Sequence, residues 1–295
     1  MARSVYDVTP ASRLPRQAET PPEFRPTASG EVPQAAVEAF GRDGVVCLRG
    51  ALGMERVEAL REGADLSAGR PGPLGYKIGE PGQPGFFYYD FQLHERIEAF
   101  RWLVYESPVP CLGARLMGSP GVTLYYSNLF VKDGGSKAAS PWHEDASYQR
   151  IDGLQCINFW IALDAIPAET TLLFKRGSHL KPDPLYRPRH FDPDGGYGVP
   201  LSLGRVDMPP LEEIDRRFET VWWALEPGDA VVFTQRTIHG APANTLGTRR
   251  RAAALLLIGD EATYNADPGE SDPPFRDDSL SHGDHPAGDV FLRLI

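Results

Sequence analysis

Apolar residues recur at helical spacing along the first third of the chain, and from about residue 122 the pattern changes to that of strands. The spacing predicts a helix over Pro33–Phe40, with Val37 and Phe40 on one face. A second is expected over Met54–Ala64, where Met54, Val57, Leu60 and Ala64 lie three or four apart. Between them, Val45-Val46-Cys47-Leu48 reads as a short buried strand, and further helical stretches are expected near 97–104 and 111–117. Val122–Val131, Cys156–Leu163, Val221–Ala224, Ala230–Phe233 and Ala252–Ile258 are rich in β-branched, aromatic or aliphatic residues, with Gly- and Pro-rich turns between them. That succession predicts a β-sandwich or barrel preceded by supporting helices. Lys181–Pro210 is rich in Pro, Asp and Gly and is long for a connection, which marks a lid or binding loop at about 181–210. Residues 1–30 lack periodicity and are expected to form a flexible arm. Residues 31–265 would form one domain, and 266–295 an acidic, Pro-rich tail.

Composition narrows the function classes. A formal net charge of −10 and a pI near 5.2 argue against a nucleic-acid or anionic-membrane surface, where a basic footprint is expected. Three scattered cysteines, Cys47, Cys111 and Cys156, form neither a disulfide framework nor a zinc motif. The first residues contain no continuous apolar stretch of leader type, and no apolar run is long enough to span a bilayer, so a reducing, cytoplasmic setting is expected.

The sharpest chemical feature is Pro141-Trp142-His143-Glu144-Asp145. On extended chain, His143 and Asp145 project to one side and Glu144 to the other, so an imidazole and a carboxylate can grip one metal. A third ligand is available in Thr237-Ile238-His239-Gly240, just past the strand Ala230–Phe233. Two histidines and one carboxylate make the facial triad of non-haem iron(II) oxygenases, which leaves coordination positions open. An isolated His-x-Asp is weak, since a surface histidine beside an exposed acid has the same pattern. Arg249-Arg250-Arg251 opens the strand 252–258 and offers a guanidinium fork for a carboxylate; alternation favours either Arg250 alone or the pair Arg249 and Arg251. His179 is a competing histidine, while His94, His190, His282 and His285 lie in unpatterned segments and read as surface or loop residues.

Taken in order, these pieces resemble the phytanoyl-CoA dioxygenase (PhyH) family of 2-oxoglutarate oxygenases. The resemblance rests on Phe40-x-x-Asp43-Gly44, Lys132 eleven residues before His143, Trp142-His143-Glu144-Asp145, and Phe159-Trp160-Ile161-Ala162-Leu163-Asp164. It continues through Gly177-Ser178-His179, Gly228-Asp229, and His239-Gly240-x-Pro242-x-Asn244 leading to Arg250. It spans about residues 35–260 and implies an all-β core, a double-stranded β-helix (a cupin-like jelly roll) with N-terminal α-helices. It implies Fe(II) on His143, Asp145 and His239, the 2-oxoglutarate carboxylate on Arg250, and Trp160, Tyr126, Asn128 and Phe130 along the co-substrate pocket. Gly177-Ser178-His179 would be a structural turn. Two departures stand out: Ala241 replaces a hydroxyl residue, and Glu169-Thr170-Thr171 replaces Asn-Gly-Pro.

The chemistry so implied couples O2 to oxidative decarboxylation of 2-oxoglutarate, releasing succinate and CO2, with ascorbate a candidate reductant. The product would be a hydroxylated small molecule, with a secondary metabolite as the family-level expectation for the substrate. Halogenating relatives replace the carboxylate ligand with a small residue, so Asp145 argues against halogenation. Epimerisation, cyclisation and desaturation use the same centre. Phe86-Phe87-Tyr88-Tyr89, the 181–210 loop and the arm are expected to shape the pocket, with Lys77, Arg187 or Arg189 available to an anionic substrate. The readings from other classes are a cupin-type metal enzyme without 2-oxoglutarate and a catalytically silent binding protein.

Overall fold

The computed structural model describes residues 4–14, 17, 20–187, 204–267, 271 and 273–295. Its first part holds β1 (Glu23–Phe24), α1 (Gln34–Asp43), β2 (Val45–Leu48), α2 (Met54–Gly69), β3 (Tyr76–Ile78), β4 (Phe87–Phe91), α3 (Glu98–Tyr105) and α4 (Val109–Met117). The strand-rich part follows with β5 (Val122–Lys132), β6 (Ser140–His143), β7 (Ile151–Asp152), β8 (Cys156–Ala162) and β9 (Leu173–Lys175). After α5 (Leu211–Arg217) come β10 (Thr220–Val221), β11 (Ala230–Thr234), β12 (His239–Ala241), β13 (Arg250–Gly259), β14 (Thr263–Tyr264) and β15 (Leu292–Arg293).

The strands form a nine-stranded sheet in the order β1-β2-β11-β8-β13-β5-β4-β3, with β15 also on β5, and a four-stranded sheet, β10-β9-β12-β6. Strands β7 and β14 pair separately. The larger sheet has two unlike faces because side chains alternate along each strand. On β13, Ala253, Leu255 and Leu257 face outward and pack with Phe40, Leu60, Phe100 and Leu112 of α1–α4. Ala252 and Ala254 face inward, in a second cluster with Trp160, Phe174 and Phe233. The helices therefore cover one face of the large sheet, and the small sheet covers part of the other, as in a jelly roll. The two sheets do not close into a barrel.

Helix α1 ends where Gly44 takes φ 73°, a left-handed cap that suits glycine. A Cβ there would lie 2.4 Å from the His179 ring, so the turn needs glycine twice over. The Gly44 carbonyl accepts from the Thr234 amide and the Thr237 hydroxyl, tying α1 to the turn that precedes His239.

Both chain ends are packed where they are described. Val5, Val8 and Ala11 of the expected flexible arm are buried with Trp142, Leu173 and Ile238, and the Trp142 amide donates to the Val5 carbonyl. The few apolar residues among the arm's polar ones suffice to cover β6, the edge strand of the small sheet. In the acidic tail, Phe275 packs on Phe91 and Tyr126, Phe291 is buried on Tyr125, and β15 joins β5. Of the 181–210 segment, residues 188–203 lie outside the described residues, and with them Arg189 and His190. Tyr186 bridges Val206, joining the segment's two described ends.

Candidate metal centre

His143 ends β6 and His239 opens β12, directly across a strand pair from it. Glu144 stays extended (φ −119°, ψ 131°), so Asp145, at the start of a short 3-10 turn, returns to the side of His143. The ligand atoms of His143, Asp145 and His239 all lie within 4.8 Å of one another. Asp145 Oδ1 is 3.4 Å from His143 Nε2 and 3.6 Å from His239 Nε2. Each ring's other nitrogen faces a carbonyl: His143 Nδ1 donates to Pro141 at 2.6 Å and His239 Nδ1 to Thr237 at 2.9 Å. A carbonyl only accepts, so each Nδ1 carries a proton, and each Nε2, the nitrogen facing Asp145, is the one left to bind a metal. Two imidazoles and one carboxylate on one side of a cavity suit a divalent transition metal with open positions.

Charge at this cluster follows from its surroundings. Burial, reinforced by the neighbouring His143, depresses His239 to about 4, so the ring is neutral and ligand-ready at neutral pH. Burial also opposes the Asp145 charge, but His239, His143 and Asn158 together outweigh it and hold the carboxyl below its usual range. Asn158 Nδ2 lies 3.4 Å from Asp145 Oδ2. Ser178 Oγ accepts from the Ile238 amide at 2.9 Å, and His179 packs against α1 with Nε2 3.2 Å from the Gly41 carbonyl. Gly177-Ser178-His179 thus braces the strand bearing His239 and contributes no ligand.

The metal cluster opens into a cavity of about 830 Å³, counting its mouth, that also contains the expected Tyr126, Asn128, Phe130, Trp160 and Arg250. Arg250 sits across β5 from Lys132, and both side chains are buried. Arg250 lies over Trp160 at 5.5 Å and donates to the Thr170 carbonyl, within the segment where the family pattern departs. Among the described residues, neither Arg250 nor Lys132 has a carboxylate partner. Burial lowers Arg250 to about 10, still charged at neutral pH; burial, then Arg250, lowers Lys132 well below its ordinary value. An entering carboxylate would offset both costs.

Alternation separates the arginine triplet. Arg249 pairs with Asp133 and Asp65, and Arg251 with Asp164 and Asp65, on the helix-covered side. Only Arg250 enters the cavity. Lys132 was not among the expected pocket residues, although it occupies the same alternating set as Tyr126, Asn128 and Phe130. That phase along β5 could have found it. His94, read as a surface or loop residue, is instead buried with Nδ1 2.8 Å from Ser127 Oγ.

The model of the phytanoyl-CoA dioxygenase (PhyH) family matches residues 40–252, most of the chain. The chain belongs to the phytanoyl-CoA dioxygenase (PhyH) family. Enzymes of this family depend on iron and 2-oxoglutarate, and the His143–Asp145–His239 set fits iron. Solved structures share the fold. The non-heme alpha-ketoglutarate-dependent carbocyclase SnoK from nogalamycin biosynthesis superposes with a TM-score of 0.70 at 24% identity, covering 92% of this chain and 99% of its own. The epimerase SnoN, in complex with Fe3+, alpha-ketoglutarate and nogalamycin RO, gives 0.67 at 22%, covering 89% and 98%. EctD from S. alaskensis, with 2-oxoglutarate and 5-hydroxyectoine, gives 0.64 at 21%, covering 96% and 97%. No curated protein matches the chain in sequence. No described helix is long and apolar enough to cross a membrane.

Proposed function

We propose that this PhyH-family chain is an Fe(II)/2-oxoglutarate-dependent dioxygenase that hydroxylates an unactivated C–H bond of a small molecule, releasing succinate and CO2. The supporting observation is one cavity holding both a two-histidine, one-carboxylate cluster and two buried basic side chains, Arg250 and Lys132, with no carboxylate partner among the described residues. His143, Asp145 and His239 would hold iron, which when bound supplies O2 activation coupled to decarboxylation of 2-oxoglutarate. Arg250 would fork the distal carboxylate of the co-substrate, with Lys132 adding charge and Trp160 and Phe130 flanking it. Tyr126 and Asn128 line the next stretch of the cavity. The packed walls orient both molecules and exclude water.

A cupin-type metal enzyme without 2-oxoglutarate would leave the Arg250–Lys132 pair buried without purpose and at a cost in stability. The small-molecule substrate is drawn from secondary metabolism, as with SnoK, from nogalamycin biosynthesis, and SnoN, in complex with nogalamycin RO. Three free cysteines suit a reducing cytoplasm. The test is isothermal titration of the Fe(II)-loaded protein with 2-oxoglutarate under anaerobic conditions. Saturable binding that fails in Arg250→Ala supports the assignment; equal binding by both proteins refutes the role of Arg250. Hydroxylation is tested by tracing 18O from O2 into product, which epimerisation and cyclisation would not incorporate.

A further inference from the structure

One face of β4 carries an unbroken aromatic stripe, Phe87, Tyr89 and Phe91, of which Tyr89 and Phe91 line the cavity. Phe87 lies under Lys132 Nζ at 5.5 Å, Tyr89 meets Phe130 at 6.4 Å, and Phe91 meets Tyr126 edge-on at 5.2 Å. Within the strand the rings touch in series, Phe87 to Tyr89 at 5.9 Å and Tyr89 to Phe91 at 5.7 Å. The stripe continues outward onto β3, where Tyr76 stacks on Tyr89 at 5.3 Å and is 48% exposed. Tyr89 and Phe91 are only half-buried, whereas Tyr88 of the same strand, and Phe86 just before it, face the opposite way and are buried. β3 and β4 lie at the end of the large sheet, and no strand of the small sheet is hydrogen-bonded to them.

The electrostatics of the lining point the same way. Apart from the histidines, the charged side chains among the described lining residues are Asp145, Lys132 and Arg250, all assigned above to the metal and the co-substrate. Among the described residues, a charged substrate group entering the remaining space would meet no further counter-ion to offset its lost hydration. Asn128, in register with Phe91, is 2% exposed, and its Oδ1 has no hydrogen-bond partner among the described residues. A buried amide oxygen of this kind calls for a donor from the ligand.

We infer that Tyr89 and Phe91 form a specificity-determining shelf for an uncharged, planar aromatic substrate bearing a hydroxyl group that donates to Asn128. This rests on the metal and co-substrate reading above. Aromatic rings on such a shelf take an aromatic partner in an offset or edge-on arrangement.

The test uses anaerobic protein loaded with Fe(II) and saturating 2-oxoglutarate, with occupancy checked first by the visible charge-transfer band. Calorimetry then compares 2-naphthol with 2-naphthoate and 2-decalol, which keep the skeleton but add a charge or remove the aromaticity. Saturable 2-naphthol binding is expected, on the order of 10-fold tighter than either comparator. It should weaken by roughly 5–10-fold in Phe91→Leu and in Tyr89→Leu and be kept in Phe91→Tyr, all with an unchanged band. An intact band with no 2-naphthol binding, with 2-naphthoate or 2-decalol binding as tightly, or with affinity unmoved by Phe91→Leu, overturns the shelf. Loss of the band in the wild-type protein instead overturns the co-substrate reading beneath it.

Discussion

Replacing Lys181 with methionine strands the carboxylate of Glu144, the residue between two metal ligands. Both side chains are fully buried, and Lys181 Nζ lies 3.2 Å from Glu144 Oε2. Glu144 would keep one strong partner, the Tyr186 amide at 2.6 Å. Breaking one side of a buried pair costs about 3–5 kcal/mol, and the remaining amide bond places this case near the lower figure, about 3 kcal/mol. For a chain of this size that lowers Tm by about 6–10 °C. Burial already raises the Glu144 carboxyl, and Lys181 opposes the rise, so the variant's carboxyl moves higher still. A group raised in the folded state binds protons there that the unfolded chain releases, so its stabilising protonation is lost as pH rises. The deficit relative to wild type should therefore shrink from pH 7.5 to pH 5. Urea unfolding across that range measures it, alongside the double variant Glu144→Leu/Lys181→Met, which should recover most of the loss. A deficit below about 1 kcal/mol, or a double variant no better than the single, would show that Glu144 does not depend on Lys181.

Other outcomes follow from individual contacts. Arg250→Ala should weaken 2-oxoglutarate binding on the order of 100-fold, while Arg249→Ala and Arg251→Ala lower stability and leave that affinity nearly intact; calorimetry separates the two effects. His94 is depressed to about 4 by burial and then by Arg101, so the unfolded chain takes up its proton first and stability is lost as pH falls below 6.5. That contributes about 2 kcal/mol of loss between pH 7 and pH 5, and His94→Gln should flatten this part of the pH profile in urea titrations. Cys111 is exposed, whereas Cys47 and Cys156 are buried with their thiols pushed up by burial. A thiol reagent should label one cysteine rapidly in the native protein and all three in denaturant.

The sequence carried the local part of this structure well. Val45–Leu48 is the strand the apolar run predicted, and α2 begins at Met54 as its spacing required, running on to Gly69. The triad was legible because both of its motifs are local: alternation sets His143 and Asp145 on one side, and the end of β11 sets the region of His239. Strand phase narrowed the arginines to two choices, and only the pairing of the flanking residues with Asp65, Asp133 and Asp164 decides between them. Long-range contacts stayed hidden. Strand β9, β12 and β15 are two or three residues long and carry almost no periodicity, so their pairing depends on the fold around them. The burial of Val5, Val8 and Ala11 depends on an exposed edge at β6 that the arm's own composition cannot show. Lys132 sits in a strongly apolar strand and faces Arg250 only through the β5–β13 register.

In the proposed function one cavity binds iron and 2-oxoglutarate together. Anaerobic addition of Fe(II) and then 2-oxoglutarate to the metal-free protein, followed in the visible range, tests it directly. A weak metal-to-ligand charge-transfer band should appear only with both present, vanish in Asp145→Ala and weaken in Arg250→Ala. Bound iron with no band at saturating 2-oxoglutarate, or a band indifferent to both substitutions, would rule out a shared site for the two.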